Sequence, residues 1–483
     1  MIEESELIEL RILELLESEA RWWTIEEIAL HLDFSKATIQ KYLGNLKNRV
    51  ETFPKREIMI ETSTSKGIHL HRLASFNVQI LYAQILKELL AFSVFNSFLY
   101  EEHVSIIRVS AENFISVASL RRKYKLYNTY FESLDMTIRK DIFSGDERQI
   151  RWFFSEFYWQ IFKGTEWPFR LVPQPFIENI ITTTERFFNL EIIPEVREEL
   201  TYWMAIQAIR HTKGHRVPED KEIKKYALNN PLFPSFVEIL KSIFPNEAKN
   251  QDKRGPGEMQ YLFLLLSALP ILENNEEYSR LMYVAHQKGQ TLMYQMTQDW
   301  LSLYEEIFGS IDSTKIYHQL ENKLLRIHSF SYLYHMGEPL FFKKNYVREI
   351  IEYHPRFFEK MELIHETLRE KYQKITVNEA YLMESYALLA IENLAINQFE
   401  RTVRLALSFS KGLLYEAVVQ EKLLSYFSGR YKLEFVHYLE PKEILITDLP
   451  HISSEVDCTL VSAQTQLTAR DYENIEQSIL GYI

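Results

Sequence analysis

The sequence predicts a mainly α-helical, multidomain protein, and three observations carry that reading. Only 13 of the 483 residues are glycine, well under the usual ~7%, which disfavours turn-rich sheets. The chain is long enough for about three domains of roughly 150 residues each. With 46% hydrophobic and 25% charged residues, it has enough apolar material for large cores, and the disordered and fibrous classes drop out. Over 152–399 the apolar spacing is helical throughout, interrupted at 164–175, Pro194, Gly214, 229–234, 245–257 and 337–339.

At the front, Leu7, Ile8, Ile12, Leu15 and Leu16 recur at helical spacing, with Glu3, Glu4, Glu6, Glu9 and Glu14 toward solvent. Thr24 caps a second helix, Glu27 is its capping-box partner, and Ile25, Ile28, Ala29 and Leu32 form its buried face. After the polar break Asp33-Phe34, Ser35 caps a third helix with apolar positions Ile39, Tyr42, Leu43 and Leu46. Residues 57–61 and 67–70 alternate as strands around 62–66, a hairpin. A helix-turn-helix followed by a hairpin is a winged helix.

A single long helix is expected over 78–100, and a second copy of the same logic follows it. Residues 113–126 repeat 32–39, with Ser116 in the capping role of Ser35, then hydroxyls, an apolar anchor and basic residues. The tail changes character. Strand-like stretches at 403–409, 433–436, 444–447 and 459–462 alternate with helical ones at 412–427 and 469–480, the pattern of a small α/β unit with a parallel sheet.

The formal charge of −12 argues against generic polyanion binding by the whole surface. Local balance differs. The first 32 residues hold nine Glu and two Arg, whereas 33–72 hold eight Lys and Arg against four acids, and 103–140 hold seven against three. Two basic islands on an acidic chain point to nucleic acid at the two helix-turn-helix units. The aromatic run Trp152, Phe153, Phe154, Phe157, Tyr158, Trp159 and Phe162 reads as packed core.

Other classes find no support. Walker loop, nucleophile elbow and zinc quartet are all missing, so neither a catalytic residue, a metal site nor a cofactor is expected. His211 and His215 are four apart, but Gly214 interrupts their helix. The start lacks the basic and apolar segments of a secretion signal. The apolar run 261–272 falls short of the ~20 residues of a membrane span and contains Pro270. The single Cys458 points to a reducing compartment, so a cytoplasmic protein without a membrane anchor is expected.

In its order of modules and in the pattern Ser116-Val-Ala-Ser-Leu-Arg-Arg-Lys123, the chain resembles the Mga/AtxA family of virulence regulators of Gram-positive bacteria. The resemblance spans the full length. It implies two N-terminal helix-turn-helix domains, two central helical-bundle domains controlled by the sugar phosphotransferase system, and a C-terminal α/β domain similar to enzyme IIB. The corresponding boundaries are 1–72, 73–165, 166–285, 286–398 and 399–483.

The resemblance further implies double-stranded DNA as partner, through Ser35, Lys36, Thr38, Gln40 and Lys41 of the first recognition helix and Ser116, Ser119, Arg121, Arg122 and Lys123 of the second. Helices of this kind enter the major groove, and the wing residues Thr64 and Lys66 would touch backbone or minor groove. His211 and His215 match the phosphorylated region of the first central domain, and His328 and His335 that of the second, with a phosphocarrier protein as donor. Arg210, Arg216 and Arg326 are near in sequence and would pair with the phosphate. The sequence departs from the family pattern in two places. The helix at 261–266 has no histidine, and Ser408-Phe-Ser-Lys-Gly412 stands where enzyme IIB carries its cysteine, which implies a retained fold serving self-association as a homodimer or higher homo-oligomer. An RNA-binding antiterminator would need a small β domain in front, and a phosphotransfer scaffold would need the acceptor cysteine.

Overall fold

The computed structural model describes residues 2–243, 255–272, 275–311, 313–337, 340–341, 348–393, 396–450 and 458–483. The expected breaks at 245–257 and 337–339 lie mostly outside them. The chain divides into two compact units, one of residues 1–291 with 332–343 and the other of 292–331 with 344–483.

The first unit opens with α1 (Ile8–Ser18), α2 (Ile25–Leu32) and α3 (Lys36–Val50), followed by the antiparallel hairpin β1 (Ile58–Ser63) and β2 (Gly67–Arg72). The caps act as their residue types require. The Thr24 hydroxyl accepts from the Glu27 N–H while the Glu27 carboxylate accepts from the Thr24 N–H, and Ser35 accepts from the Thr38 N–H. Trp23 adds a third, one-residue strand by exchanging two 2.8 Å backbone bonds with Ile68. Gly67 makes that approach feasible: its φ is +100°, and a Cβ there would stand 2.3 Å from the Trp23 carbonyl oxygen.

The same plan recurs. α4 (Gln79–Lys87) and α5 (Leu90–Tyr100) lead into α6 (Ile106–Glu112), α7 (Val117–Phe131) and a second hairpin, β3 (Met136–Arg139) with β4 (Ile142–Gly145). The single helix expected over 78–100 is in fact two, because Leu89 adopts an extended conformation with ψ 141°. The break turns the mostly apolar α5 into the aromatic core, where Phe95 lies 5.1 Å from Tyr127 and 4.9 Å from Phe153, between ring centroids. Phe153 belongs to α8 (Glu147–Phe162), which starts directly after β4.

The rest of this unit is helical: α9 (Gln174–Phe188), α10 (Pro194–Thr212), α11 (Lys221–Asn229), α12 (Phe233–Ile243), α13 (Gly255–Ala268) and α14 (Glu276–Gly289). α10 is buried continuously from Leu200 to Arg210, so it sits inside the bundle and carries no amphipathic stripe.

The second unit contains α15 (Leu292–Phe308), residues 314–331 of α16 (Thr314–Leu333), α17 (Arg348–Tyr353), α18 (Pro355–Arg369), α19 (Gln373–Thr376) and α20 (Glu379–Asn393). Its end is the expected α/β arrangement. Strands β5 (Thr402–Ser408), β6 (Lys432–Phe435), β7 (Ile444–Thr447) and β8 (Thr459–Ser462) form a parallel sheet in the order β6-β5-β7-β8, with α21 (Leu413–Tyr426) and α22 (Ala469–Leu480) as the helical connections and flank. β7 is buried at all four positions, as a strand covered on both faces must be.

Replacing Gly67 with Ala is expected to destabilise the first winged module by about 2–4 kcal/mol, combining left-handed backbone strain with overpacking against Trp23. Urea unfolding followed by Trp22 and Trp23 fluorescence would measure it.

Candidate nucleic-acid interface and histidine sites

The two front modules are built to one measure. In each, a hydroxyl residue caps the first helix of the pair and a serine eleven positions later caps the second: Thr24 and Ser35, then Ser105 and Ser116. In each, the residue before the first cap bonds to the hairpin, Trp23 to Ile68 and the Val104 N–H to the Asp141 carbonyl. Each turn holds a left-handed residue, Asp33 at φ 55° and Phe114 at φ 54°. Asp tolerates that conformation, whereas a phenylalanine that is also 97% exposed gains nothing from burial to offset it.

On α3, Ser35, Lys36, Gln40 and Lys41 are exposed and Thr38 is half-buried, its hydroxyl 2.8 Å from that of Ser35. Lys36 is 2.5 Å from Glu26, a pair left in solvent and therefore weak. Gly44 and Asn48 continue the same exposed face at helical spacing, with nothing within 4 Å of a Gly44 Cβ. Sequence reasoning misses them because neither residue is charged. At the wing tip Thr64 and Lys66 are exposed, and the Lys66 ammonium lies 5.6 Å from the Trp22 ring centroid.

On α7, Ser116 caps the helix and shares a 2.9 Å hydroxyl contact with Ser119, which also accepts from the Arg122 guanidinium at 3.2 Å. Arg121 and Arg122 are exposed, and among the described residues neither is in an ion pair. Lys123 differs from the sequence expectation of a free cation. Its ammonium is 2.7 Å from the carboxylates of both Glu3 and Glu6. The second wing has no counterpart in the sequence reading: β3 and β4 are joined by Lys140-Asp141, both left-handed at φ 49° and 62°, a primed two-residue turn without the usual Asn-Gly signature. It presents Arg139 and Lys140 to solvent. Alternation in Met136-Thr-Ile-Arg139 was the available signal.

The histidines fall into two environments. His211, His215 and His335 all belong to the first unit. The His211 Nδ1 is 3.2 Å from Glu258, the His215 Nε2 3.0 Å from Glu102, and the His335 Nδ1 3.5 Å from Asp135. Beside His211 lies a buried ionic cluster. Arg151, wholly enclosed, donates to Glu258 at 2.7 Å, to Glu147 at 2.9 Å and to the Gln207 amide oxygen at 2.8 Å, while Arg210 donates to Glu147 at 2.6 Å. Burial opposes ionisation of Glu258, but the Arg151 charge and the His211 contact prevail and hold its carboxyl at about 2. Burial pushes the His215 imidazole below its ordinary value, as does Arg210.

The arginines expected to meet a phosphate have other duties. Arg210 is committed to Glu147, Arg216 donates to the His211 and His215 carbonyls, and Arg326 is buried. His328, in the second unit, is the histidine out of reach. It is fully buried, with Nδ1 2.8 Å from the Thr297 hydroxyl and Nε2 2.9 Å from that of Tyr386. Burial depresses its pKa to about 3.

In the loop after β5, the Phe409 N–H donates to Glu416 at 2.9 Å, and the Ser410 N–H and hydroxyl each donate to Asp448 at 2.7 Å. Thr465 donates to the same Asp448 carboxylate at 2.7 Å. The backbone cradle after the first strand of the sheet is thus filled by the chain's own carboxylates.

Residues 74–158, from just before α4 into α8, match the family model described as the Mga helix-turn-helix domain. The capsule synthesis positive regulator AcpA of Bacillus anthracis is 23% identical over 301 residues, 61% of this chain and 60% of that protein. The chain is similar to regulators of the Mga/AtxA type. Another relative, the anthrax toxin expression trans-acting positive regulator of Bacillus anthracis, is 22% identical over 276 residues, 57% of this chain and 56% of that protein. The chain therefore spans under two thirds of the length of these two relatives. A trans-acting regulator of Streptococcus pneumoniae serotype 4 aligns over 92% of this chain and 89% of its own length at 24% identity. Both Bacillus anthracis relatives are named as positive regulators. Among the described residues no helix is long and apolar enough to cross a membrane.

His328 gives the second unit a pH-dependent stability. Its folded pKa lies below the unfolded value of ~6.5, so as pH falls through that value only the unfolded chain takes up the proton. Stability should drop by about 1 kcal/mol between pH 6.5 and 5.5 from this group alone. Denaturant titrations of the native chain and of His328→Gln at the two pH values should differ by that amount.

Proposed function

We propose that this chain is a DNA-binding transcription regulator that grips duplex DNA with two winged helix-turn-helix modules. The observation that carries the reading is the duplication: two modules of identical cap spacing, each exposing basic residues on its second helix and at its wing tip. Ser35, Lys36, Thr38, Gln40 and Lys41, with Thr64 and Lys66, serve the first contact. Ser116, Ser119, Arg121 and Arg122, joined by Arg139 and Lys140, serve the second. Lysines and wing residues engage phosphates, while Gln40 and the arginines have the donors to read base edges.

Control comes through the helical region. Phosphate from a phosphocarrier protein is accepted at His211, His215 or His335, which are partly exposed at 12%, 27% and 36% of their side chains. His328 is not used, being enclosed. Each phosphate adds nearly two negative charges, and at His211 they arrive beside the ionic cluster on α8, the helix that follows the second wing directly. The C-terminal α/β region, read as enzyme-IIB-like and without phosphotransfer, pairs two copies. The apolar face of α21, where Leu413, Leu414 and Val418 are exposed at 75%, 89% and 48%, supports that role.

Replacing Arg121 and Arg122 with Ala should weaken promoter binding and reduce the slope of log affinity against log salt by about 1.8, or 0.9 per lost phosphate contact. Gel shifts across a salt series test this, and an unchanged slope would remove α7 from the interface. With labelled phosphocarrier as donor, incorporation should survive His328→Gln and disappear from the combined His211, His215 and His335 to Ala variant.

A further inference from the structure

The four cations of the second reading helix are not equivalent. Arg121, Arg122 and Lys125 are exposed, while the Lys123 side chain is only 20% exposed and lies against the turn ahead of α1. That turn is organised to receive it. Glu6 accepts from the Glu3 N–H at 3.2 Å, folding residues 3–6 back on themselves, and the same Glu6 oxygen takes the Lys123 ammonium at 2.7 Å. Glu3 closes on the other side, also at 2.7 Å. Glu4 is drawn off to Arg11 at 3.5 Å, leaving two carboxylates on one ammonium.

We infer that the acidic turn at Glu3 to Glu6 is an autoinhibitory clasp on the second reading helix, offering Lys123 the negative charge that a DNA backbone would otherwise supply. The clasp links two modules through one contact, since the carboxylates precede α1 of the first and the lysine lies on α7 of the second. In the free protein Lys123 is neutralised. Duplex DNA must displace the carboxylates before this lysine can hold a phosphate, and displacement leaves Glu3 and Glu6 in mutual repulsion. Binding thus carries an opposing charge term that Arg121 and Arg122 do not experience. The inference rests on the reading that α7 faces DNA.

The test uses the full chain, a promoter duplex and a salt series. Glu3→Gln combined with Glu6→Gln should tighten binding about two- to five-fold at low salt, the range of a solvent-exposed ion pair, and steepen the salt slope by about 0.9 for one phosphate gained. Lys123→Gln alone should change neither quantity, yet added to the combined Glu3→Gln and Glu6→Gln variant it should abolish the gain. Both Glu positions are at the surface, and thermal unfolding of each variant reports whether the fold is kept. Unchanged or weakened binding by the double variant overturns the clasp, as does a slope flattened by Lys123→Gln alone, which would mean that the lysine already touches phosphate. If Arg121 and Arg122 also prove silent, the reading of α7 is what fails.

Discussion

The first unit depends on a guanidinium sealed from water. Arg151 is fully enclosed, and an unpaired cation there would be untenable, so Glu147, Glu258 and Gln207 must all stay in place around it. Such a cluster adds little net stability over an apolar core, but removing one partner from a buried pair costs roughly 3–5 kcal/mol. It therefore acts as a specification. It ties helices α8, α10 and α13 together, and the Val217 N–H donates to the same Glu258 carboxylate at 2.9 Å. Because α8 starts directly after the second hairpin, the geometry of the second module and that of the His211 region share one anchor.

Local rules made much of the fold legible. Thr24 and Glu27, Ser35 and Ser116 act as caps because their side-chain oxygens reach the first free N–H groups of a helix, a relation confined to four residues. The strands of the C-terminal sheet were readable for a similar reason: short apolar runs alternating with helices leave few topologies. What escaped depends on distance. Nothing near Trp23 says that it will pair with Ile68, and nothing near Lys123 announces carboxylates some 120 positions earlier. The break at Leu89 has no proline or glycine to mark it, and only the packing of α5 against the aromatic core accounts for it.

The basic islands were legible as composition, and their use was not. Charge counting treats Arg121, Arg122 and Lys123 alike, yet two are exposed and one is paired inside the molecule. The histidines behave the same way. His328 and His335 are neighbours in sequence, but one is enclosed by Thr297 and Tyr386 and the other faces solvent beside Asp135. Helical periodicity alone could not separate them, since seven positions would place them on similar faces of a continuous helix. The helix ends at Leu333, two residues before His335.

The loop after β5 has a consequence for the whole tail of the chain. Glu416 and Asp448 act as resident counter-ions to their own backbone, so an incoming anion would meet two fixed negative charges where it would need N–H donors. The N–H groups at the mouth of the sheet are therefore already spent within the chain, and the tail keeps the strand-loop-helix framework without a vacant anion seat at this position.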